Sequence, residues 1–195
     1  MGRALIAGIV GGIIVFFWGF LSHVVLKIAS AGLEPLPHEA TVVEALRLSV
    51  KEPGMYFFPG MDASRTPTPE EEQAYAAKYK AGPSGLLIYQ PPSANPHEAE
   101  GPMSPRQLAI EAISGILAGI LVAATLFGVA GGYFARVLVT TCFGLFGWLA
   151  ISVSYWNWYR FDPQFTLSEG IDQTVGWFLA GLVMAAIVKP KIARR

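Results

Sequence analysis

Residues 108–129 read LAIEAISGILAGILVAATLFGV, an unbroken apolar run whose one charged residue is Glu111. In a helix, about 20 such residues cross a bilayer core of about 30 Å. The stretch therefore asks whether this fold is solvated by lipid or by water. Three others meet or approach the same test: Ala4 to Ile28, Phe134 to Tyr155 and Gly170 to Val188. Any one of them matches a buried helix of a water-soluble protein. Four in a chain of 195 residues leave too little polar surface to solvate such a fold.

Composition points the same way. Hydrophobic residues make up 53% of the chain and charged residues only 14%, against about 25% charged in an average globular domain. Ten of the fourteen acidic residues lie between Glu34 and Glu100, so wet and dry segments alternate. The expected fold is an α-helical integral membrane protein with four transmembrane helices. A small α+β extracytoplasmic domain is inserted between helices 1 and 2. The boundaries are residues 1–29 for the first helix, 30–106 for the domain, 107–190 for a three-helix membrane region and 191–195 for a cytoplasmic basic tail. Ala29-Ser30-Ala31 looks like a signal-peptide cleavage site, but the apolar run before it exceeds the roughly 7 to 15 residues of a signal peptide, so a retained anchor is expected.

Lys and Arg in short flanks accumulate on the cytoplasmic side. With the N-terminus inside, that side holds Arg3, Arg136, Lys189, Lys191, Arg194 and Arg195, whereas the short outer loop holds Arg160. Adding Lys27 and Arg106 at the edges of the long loop leaves the bias intact. Both termini are therefore expected in the cytoplasm. Tyr155, Trp156, Trp158, Tyr159 and Phe161 then fall at the outer interface, as an aromatic belt at headgroup level or as a platform for a ligand or pigment.

Between Ser30 and Arg106 the pattern changes to proline, glycine and carboxylates. Val42, Val43, Leu46 and Val50 fall at near-helical spacing within Glu39 to Glu52, with Pro37 and Thr41 as entry signals. Gly54 to Gly60 and Gly85 to Pro92 are short apolar runs between breakers, able to pair as strands. Thr68-Pro69-Glu70-Glu71-Glu72 spells a helix start: a cap, a proline, then carboxylates facing the positive end of the dipole, with the stop at Gly82-Pro83. That placement accounts for the triple glutamate without a metal, although hard cations do favour clustered carboxylates. Pro91 to Pro105 reads as an extended connector. About 75 residues is near the lower limit for an independent core, so this domain is expected to lean on a partner or on the membrane part.

Small residues recur four apart: Gly8 and Gly12, Gly115 with Gly119 and Ala123, Gly176 and Ala180. Such faces let helix backbones approach closely in lipid. They serve packing within the chain or contact with other membrane subunits. Polar residues in spans carry a functional expectation by default. His23, Glu111 and Asp172 all fall toward the outer side, so the expected site is an outer surface formed by these three with Trp156, Trp158, Tyr159 and Arg160. The simpler alternative solvates the carboxylates at the interface or uses them as helix caps. His23 is also the candidate cofactor ligand, for haem or chlorophyll.

Other chemistries are absent from the pattern. There is no Walker sequence, dinucleotide fingerprint, HExxH pair or serine elbow, and no basic stripe suited to nucleic acid. The single cysteine, Cys142, excludes an intrachain disulfide and a multi-cysteine metal site built by this chain alone. Trp18-Gly19 followed by Leu21-Ser22-His23, the Gly54–Gly60 segment ending Pro-Gly, Gly82-Pro83-Ser84-Gly85 leading into Tyr89 and Pro91, and the aromatic outer loop together resemble a family of bacterial four-helix inner-membrane proteins. That resemblance implies the topology and carries no activity or catalytic residue across.

The functional expectation is a non-catalytic accessory or structural subunit of a larger membrane complex. Its partners would be the bilayer and other membrane subunits, not nucleic acid. Two alternatives stand beside it: a membrane-anchored module that binds or senses a ligand through the outer domain, and a cofactor-bearing membrane protein using His23.

Overall fold

A computed structural model describes residues 2–28, 30–62, 64–92, 101 and 103–188. The basic tail 191–195, Lys189 and most of the expected connector before Pro105 lie outside the described residues. The chain forms two compact units, Met1–Leu33 with Gly101–Arg195, and Glu34–Glu100.

The first unit contains four helices long and apolar enough to span a membrane: α1 (Gly2–Val25), α4 (Pro105–Gly128), α5 (Tyr133–Tyr159) and α6 (Pro163–Ile187). The starts of α4 and α6 follow cap chemistry more closely than hydropathy. At α4, Ser104 Oγ accepts from Gln107 N at 3.2 Å and the Gln107 side chain accepts from Ser104 N at 2.9 Å, with Pro105 at the first position. At α6, Asp162 Oδ1 accepts from Gln164 N at 2.7 Å and Phe165 N at 3.0 Å. The fourth span thus begins seven residues before the expected Gly170, because Asp162-Pro163 is a start signal that an apolar window passes over. α5 likewise runs past Tyr155 to Tyr159, widening into a π turn over Trp148–Ser152 and stopping where Arg160 turns left-handed at φ 59°.

Three helix–helix interfaces are extensive: α1 with α4, α1 with α6, and α5 with α6. The order α4–α1–α6–α5 is a row. α4 and α5 follow each other in the chain but make no extensive contact along their lengths. A straight row of four helices at 8–10 Å spacing would separate its outer axes by roughly 24–30 Å. The link Val129–Gly132 between α4 and α5 reaches at most about 18 Å. The row therefore curves, and its two ends are tied together at that link.

The core sits at this tied end. Ala4 and Ala7 of α1, Val122, Ala123 and Leu126 of α4, and Trp177, Ala180 and Met184 of α6 form one buried cluster with Val188. Glycines set the α1–α4 approach: a Cβ on Gly8 would strike the Ile120 backbone, one on Gly12 the Ile116 backbone and one on Gly119 the Gly8 carbonyl. Along α6, Gly176 seats the Trp18 ring and Gly181 seats Thr140. These small-residue faces are filled from within the chain.

α6 is the hub, with 44% of its apolar window buried against 28%, 22% and 17% for α1, α4 and α5. Its backbone carbonyls accept cross-helix bonds from Trp18 Nε1 (Asp172 O, 3.0 Å), Trp148 Nε1 (Thr166 O, 2.7 Å) and Tyr133 Oη (Leu182 O, 2.8 Å). Arg136 is buried and donates to Ala185 O at 3.3 and 3.4 Å and to Gly131 O at 3.1 Å. It supplies donors and positive charge to the last turn of α6, where carbonyls lack intrahelical partners.

The second unit contains α2 (Glu39–Ser49), β1 (Gly54–Phe58), α3 (Pro69–Ala81) and β2 (Gly85–Tyr89). β1 and β2 pair antiparallel, from Gly54 opposite Tyr89 to Phe58 opposite Gly85. α3 starts as its sequence spells it: Glu71 N donates to Thr68 Oγ1 at 3.3 Å and Thr68 N to Glu71 Oε2 at 2.9 Å. Arg65 grips Glu71 through both guanidinium nitrogens, and with the Thr68 backbone bond this holds the Glu71 carboxyl at about 2, below its usual 4.5. The entry to α2 differs from expectation. His38 turns left-handed at φ 53° and no side chain caps the helix, so neither Thr41 nor Pro37 opens it. None of the described residues in this unit is fully buried.

Candidate functional site

At the end opposite the core, α1, α4 and α6 part to form a cleft of about 450 Å³. From α1 come Val15, Phe16, Gly19, Phe20, His23 and Val24; α4 and the turn before it give Met103, Gln107, Leu108 and Glu111; α6 gives Glu169, Asp172 and Gln173. Local sequence explains each contribution. Residues 21–25 of α1 form a π turn, with Leu26 N donating to Leu21 O at 2.8 Å, and the extra residue per turn re-aims Ser22 and His23. On α6, Glu169, Asp172 and Gln173 stand at i, i+3 and i+4 and so share one face. That face is available because α6 starts at Pro163. Gly19 lines the cleft with nothing within 4 Å of where a Cβ would sit, so this glycine leaves space and serves no close packing.

Asp172 is the centre of the arrangement. It is 8% exposed, neither solvated at an interface nor a helix cap. Its backbone carbonyl accepts from Trp18, one turn before Ser22 on α1. Oδ2 lies 3.9 Å from His23 Nε2, and the two side chains are 10% and 50% exposed. Oδ1 has no hydrogen-bond partner, and neither does the fully buried Ser22 Oγ. Two orphaned polar atoms in the apolar part of a protein cost free energy, and this pair stands on the two helices that Trp18 joins. Glu169 is half-buried and lies within electrostatic range of both Asp172 and His23.

The structure thus places His23, Glu111 and Asp172 on one cleft. Trp156, Trp158, Tyr159 and Arg160 stand at the end of α5 instead. Trp156 lines a separate apolar groove with Trp148, Leu149, Val153, Pro163 and Leu167, while Trp158 is 71% exposed. Glu169, Gln107 and Gln173 are lining residues that the sequence reading did not single out. The signal was present in Glu169-x-x-Asp172, two carboxylates one helical turn apart. Asp172 Oδ2 stands 3.9 Å from His23 Nε2, a nitrogen through which a haem or chlorophyll would be ligated. Among the described residues no three His, Cys, Asp or Glu side chains converge as metal ligands. The second unit has its own shallow hollow of about 200 Å³, along which Arg65 and Glu71 already pair.

Four apolar helices of this length mark a multi-pass membrane protein, and the cleft gives it a polar, partly buried site. No protein-family model, no curated protein and no solved structure matches the chain. The likeness to bacterial inner-membrane proteins therefore rests on its short motifs alone.

Proposed function

We propose that this chain is a non-catalytic membrane protein that works by binding, with the α1–α4–α6 cleft as the place where a small ligand is held. In this reading it lies in a bacterial inner membrane with both termini in the cytoplasm and the Glu34–Glu100 unit outside, so that the cleft faces the outer side. The observation that carries the binding reading is a cleft of about 450 Å³ lined by Glu111, Glu169 and the nearly buried Asp172 of the helix hub. Pockets of about 300–1,000 Å³ with few, convergent polar groups are typical ligand sites. The test uses Gly19→Leu, which projects a side chain into the cleft at a position where nothing lies within 4 Å of the new Cβ. A panel of charged and neutral small molecules is screened by thermal unfolding of the full chain in detergent. The reading requires at least one compound that stabilises the wild type and not the variant. Equal responses throughout the panel would sink it. Orientation is checked separately, by labelling Ser64→Cys with a membrane-impermeant thiol reagent from the outer side in a Cys142→Ser background.

A second reading, an accessory subunit of a larger membrane assembly, is supported by the helix row. α4 and α5 each have one principal neighbour in this chain and keep only 22% and 17% of their apolar windows buried. The internal use of the glycine faces removes one argument for it. Copurification of a stoichiometric partner from native membranes would establish this reading, and a solitary monomer would dismiss it.

A further inference from the structure

Three carboxylates, Glu111, Glu169 and Asp172, line the cleft together with one histidine, and no Lys or Arg is among the lining residues. Glu169 and Asp172 stand one turn apart on the same helix, a spacing at which like charges repel. Asp172 is more than nine-tenths buried with Oδ1 unpartnered, and Glu169 is half-buried. A buried carboxylate ordinarily has a cation or several donors around it. His23 is half-exposed and 3.9 Å away, too distant for a hydrogen bond. Among the described lining residues no Lys or Arg answers these carboxylates, and the side-chain donors are those of His23, Gln107 and Gln173.

The remaining walls decide what kind of cation fits. Phe16, Phe20, Val15, Val24 and Leu108 surround the polar groups with apolar and aromatic surface. A bare metal ion would leave most of a volume of about 450 Å³ unfilled, and no three ligating side chains converge among the described residues. An anion would meet carboxylates from two helices. A cation with an apolar body satisfies both parts of the lining: the charged head answers Asp172 and Glu169, and the apolar body lies against Phe16 and Phe20.

We propose that the cleft binds a small organic amine in its ammonium form, held by Asp172 and Glu169 with Glu111 at the mouth. This rests on the reading of the cleft as a ligand site and adds the ligand's chemical class. An ammonium group can come from a free amine or from the ethanolamine headgroup of a lipid. The free amine suits the cleft better, since a phospholipid brings a phosphate close to the same carboxylates.

The experiment compares hexylamine with hexanol, equal chains with and without the charge, titrated onto the full-length protein in a maltoside detergent and followed by calorimetry. Hexylamine is expected to bind saturably and at least tenfold more tightly than hexanol. Glu169→Gln, at a half-buried position, should weaken hexylamine about tenfold and leave hexanol unchanged, and Gly19→Leu should abolish binding of both. Addition of phosphatidylethanolamine assigns the source of the ammonium. A rightward shift of the hexylamine curve in the wild type, absent in Glu169→Gln, identifies the headgroup as the native occupant; an unshifted curve leaves the free amine. If both probes bind equally and both are lost in Gly19→Leu, the cleft is a site for neutral ligands and the ammonium proposal falls alone. If neither binds, or if both bind Gly19→Leu as they bind the wild type, the site reading falls with it.

Discussion

The two ends of the same helices are built by opposite rules. At the tied end, α1 and α4 bring backbones together over Gly8, Gly12 and Gly119, and the side chains between these helices and α6 are alanine, valine, leucine, methionine and Trp177, all buried. At the other end the same three helices carry His23, Glu111, Glu169 and Asp172 around a cleft, and a glycine there, Gly19, touches nothing across from it. In lipid, helices associate through close packing and satisfied polar groups, because apolar burial alone gives no drive. The tied end meets both conditions. At the open end a cleft interrupts the packing, and Asp172 Oδ1 and Ser22 Oγ are enclosed without partners. The fold is stabilised at one end, and the other end is free to keep groups that packing would exclude, which is the usual relation between scaffold and site.

The sharpest way to break this comparison is to load the tied end. In Gly119→Leu the new Cβ would meet the Gly8 carbonyl and the Gly12 amide, both backbone and neither able to swing aside. Overpacking commonly costs about 1–3 kcal/mol, and backbone on the opposing side places this case at about 3 kcal/mol or more. The expected outcome is loss of folded protein, or an unfolding midpoint in denaturing detergent far below that of the wild type. Arg136→Ala comes next. It removes the donors to Ala185 O and Gly131 O at a buried position, and carbonyls left without partners cost about 1–3 kcal/mol. Arg136→Lys should recover only part of this, because an ammonium cannot reproduce the planar fork. Equal stability of the alanine variant and the wild type would show that the C-terminus of α6 does not depend on that side chain.

At the open end the expected sign reverses. Asp172→Asn removes a buried charge whose Oδ1 has no partner and whose His23 contact is long. Relief of uncompensated buried charge raises stability by about 1 kcal/mol or more, so the variant should unfold at a higher temperature than the wild type. A lower midpoint would mean that Asp172 is structural, and the distinction between the two ends would fail at its central residue.

Hydropathy made the four spans legible, and cap chemistry made α3 legible to the residue, from Thr68 to Gly82. The same cap signal at Asp162-Pro163 was hidden because Ser168 and Glu169 interrupt the apolar run that defines a span. Those polar residues are helical, and Glu169 faces the cleft. What conceals the start of α6 from a hydropathy reading is therefore what makes the site. The gathering of His23, Glu111 and Asp172 at one end follows from helix direction alone. Their convergence does not, because it depends on α1 lying between α4 and α6. Glycine spacing marks a face fit for close approach without naming the helix that approaches it. Gly8 and Gly119 find each other through shape, and shape complementarity between two helices is not written in either one.

The smallest expected effect tests the comparison most directly, because it repeats the first substitution at the other end. Gly19→Leu introduces the same side chain as Gly119→Leu, into the helix that packs against α4, but it projects into a cleft where no atom lies within 4 Å of the new Cβ. Replacing a glycine inside a helix lowers the entropy lost on folding and favours the helix by roughly 0.5–1 kcal/mol. Set against that is contact with the half-exposed Phe20 and with Val24, five residues further along the widened turn. The unfolding midpoint should therefore fall within about 1 kcal/mol of the wild type, equal or slightly higher. Gly119→Leu and Gly19→Leu measured side by side, in one detergent and with one probe of unfolding, should differ by nearly the whole effect of the first. If both variants unfold alike, the cleft is closed in the working protein and the contrast between the ends disappears. If only Gly119→Leu unfolds, the glycines have been sorted by what stands opposite them: close packing requires the small residue at Gly119, and open space requires it at Gly19.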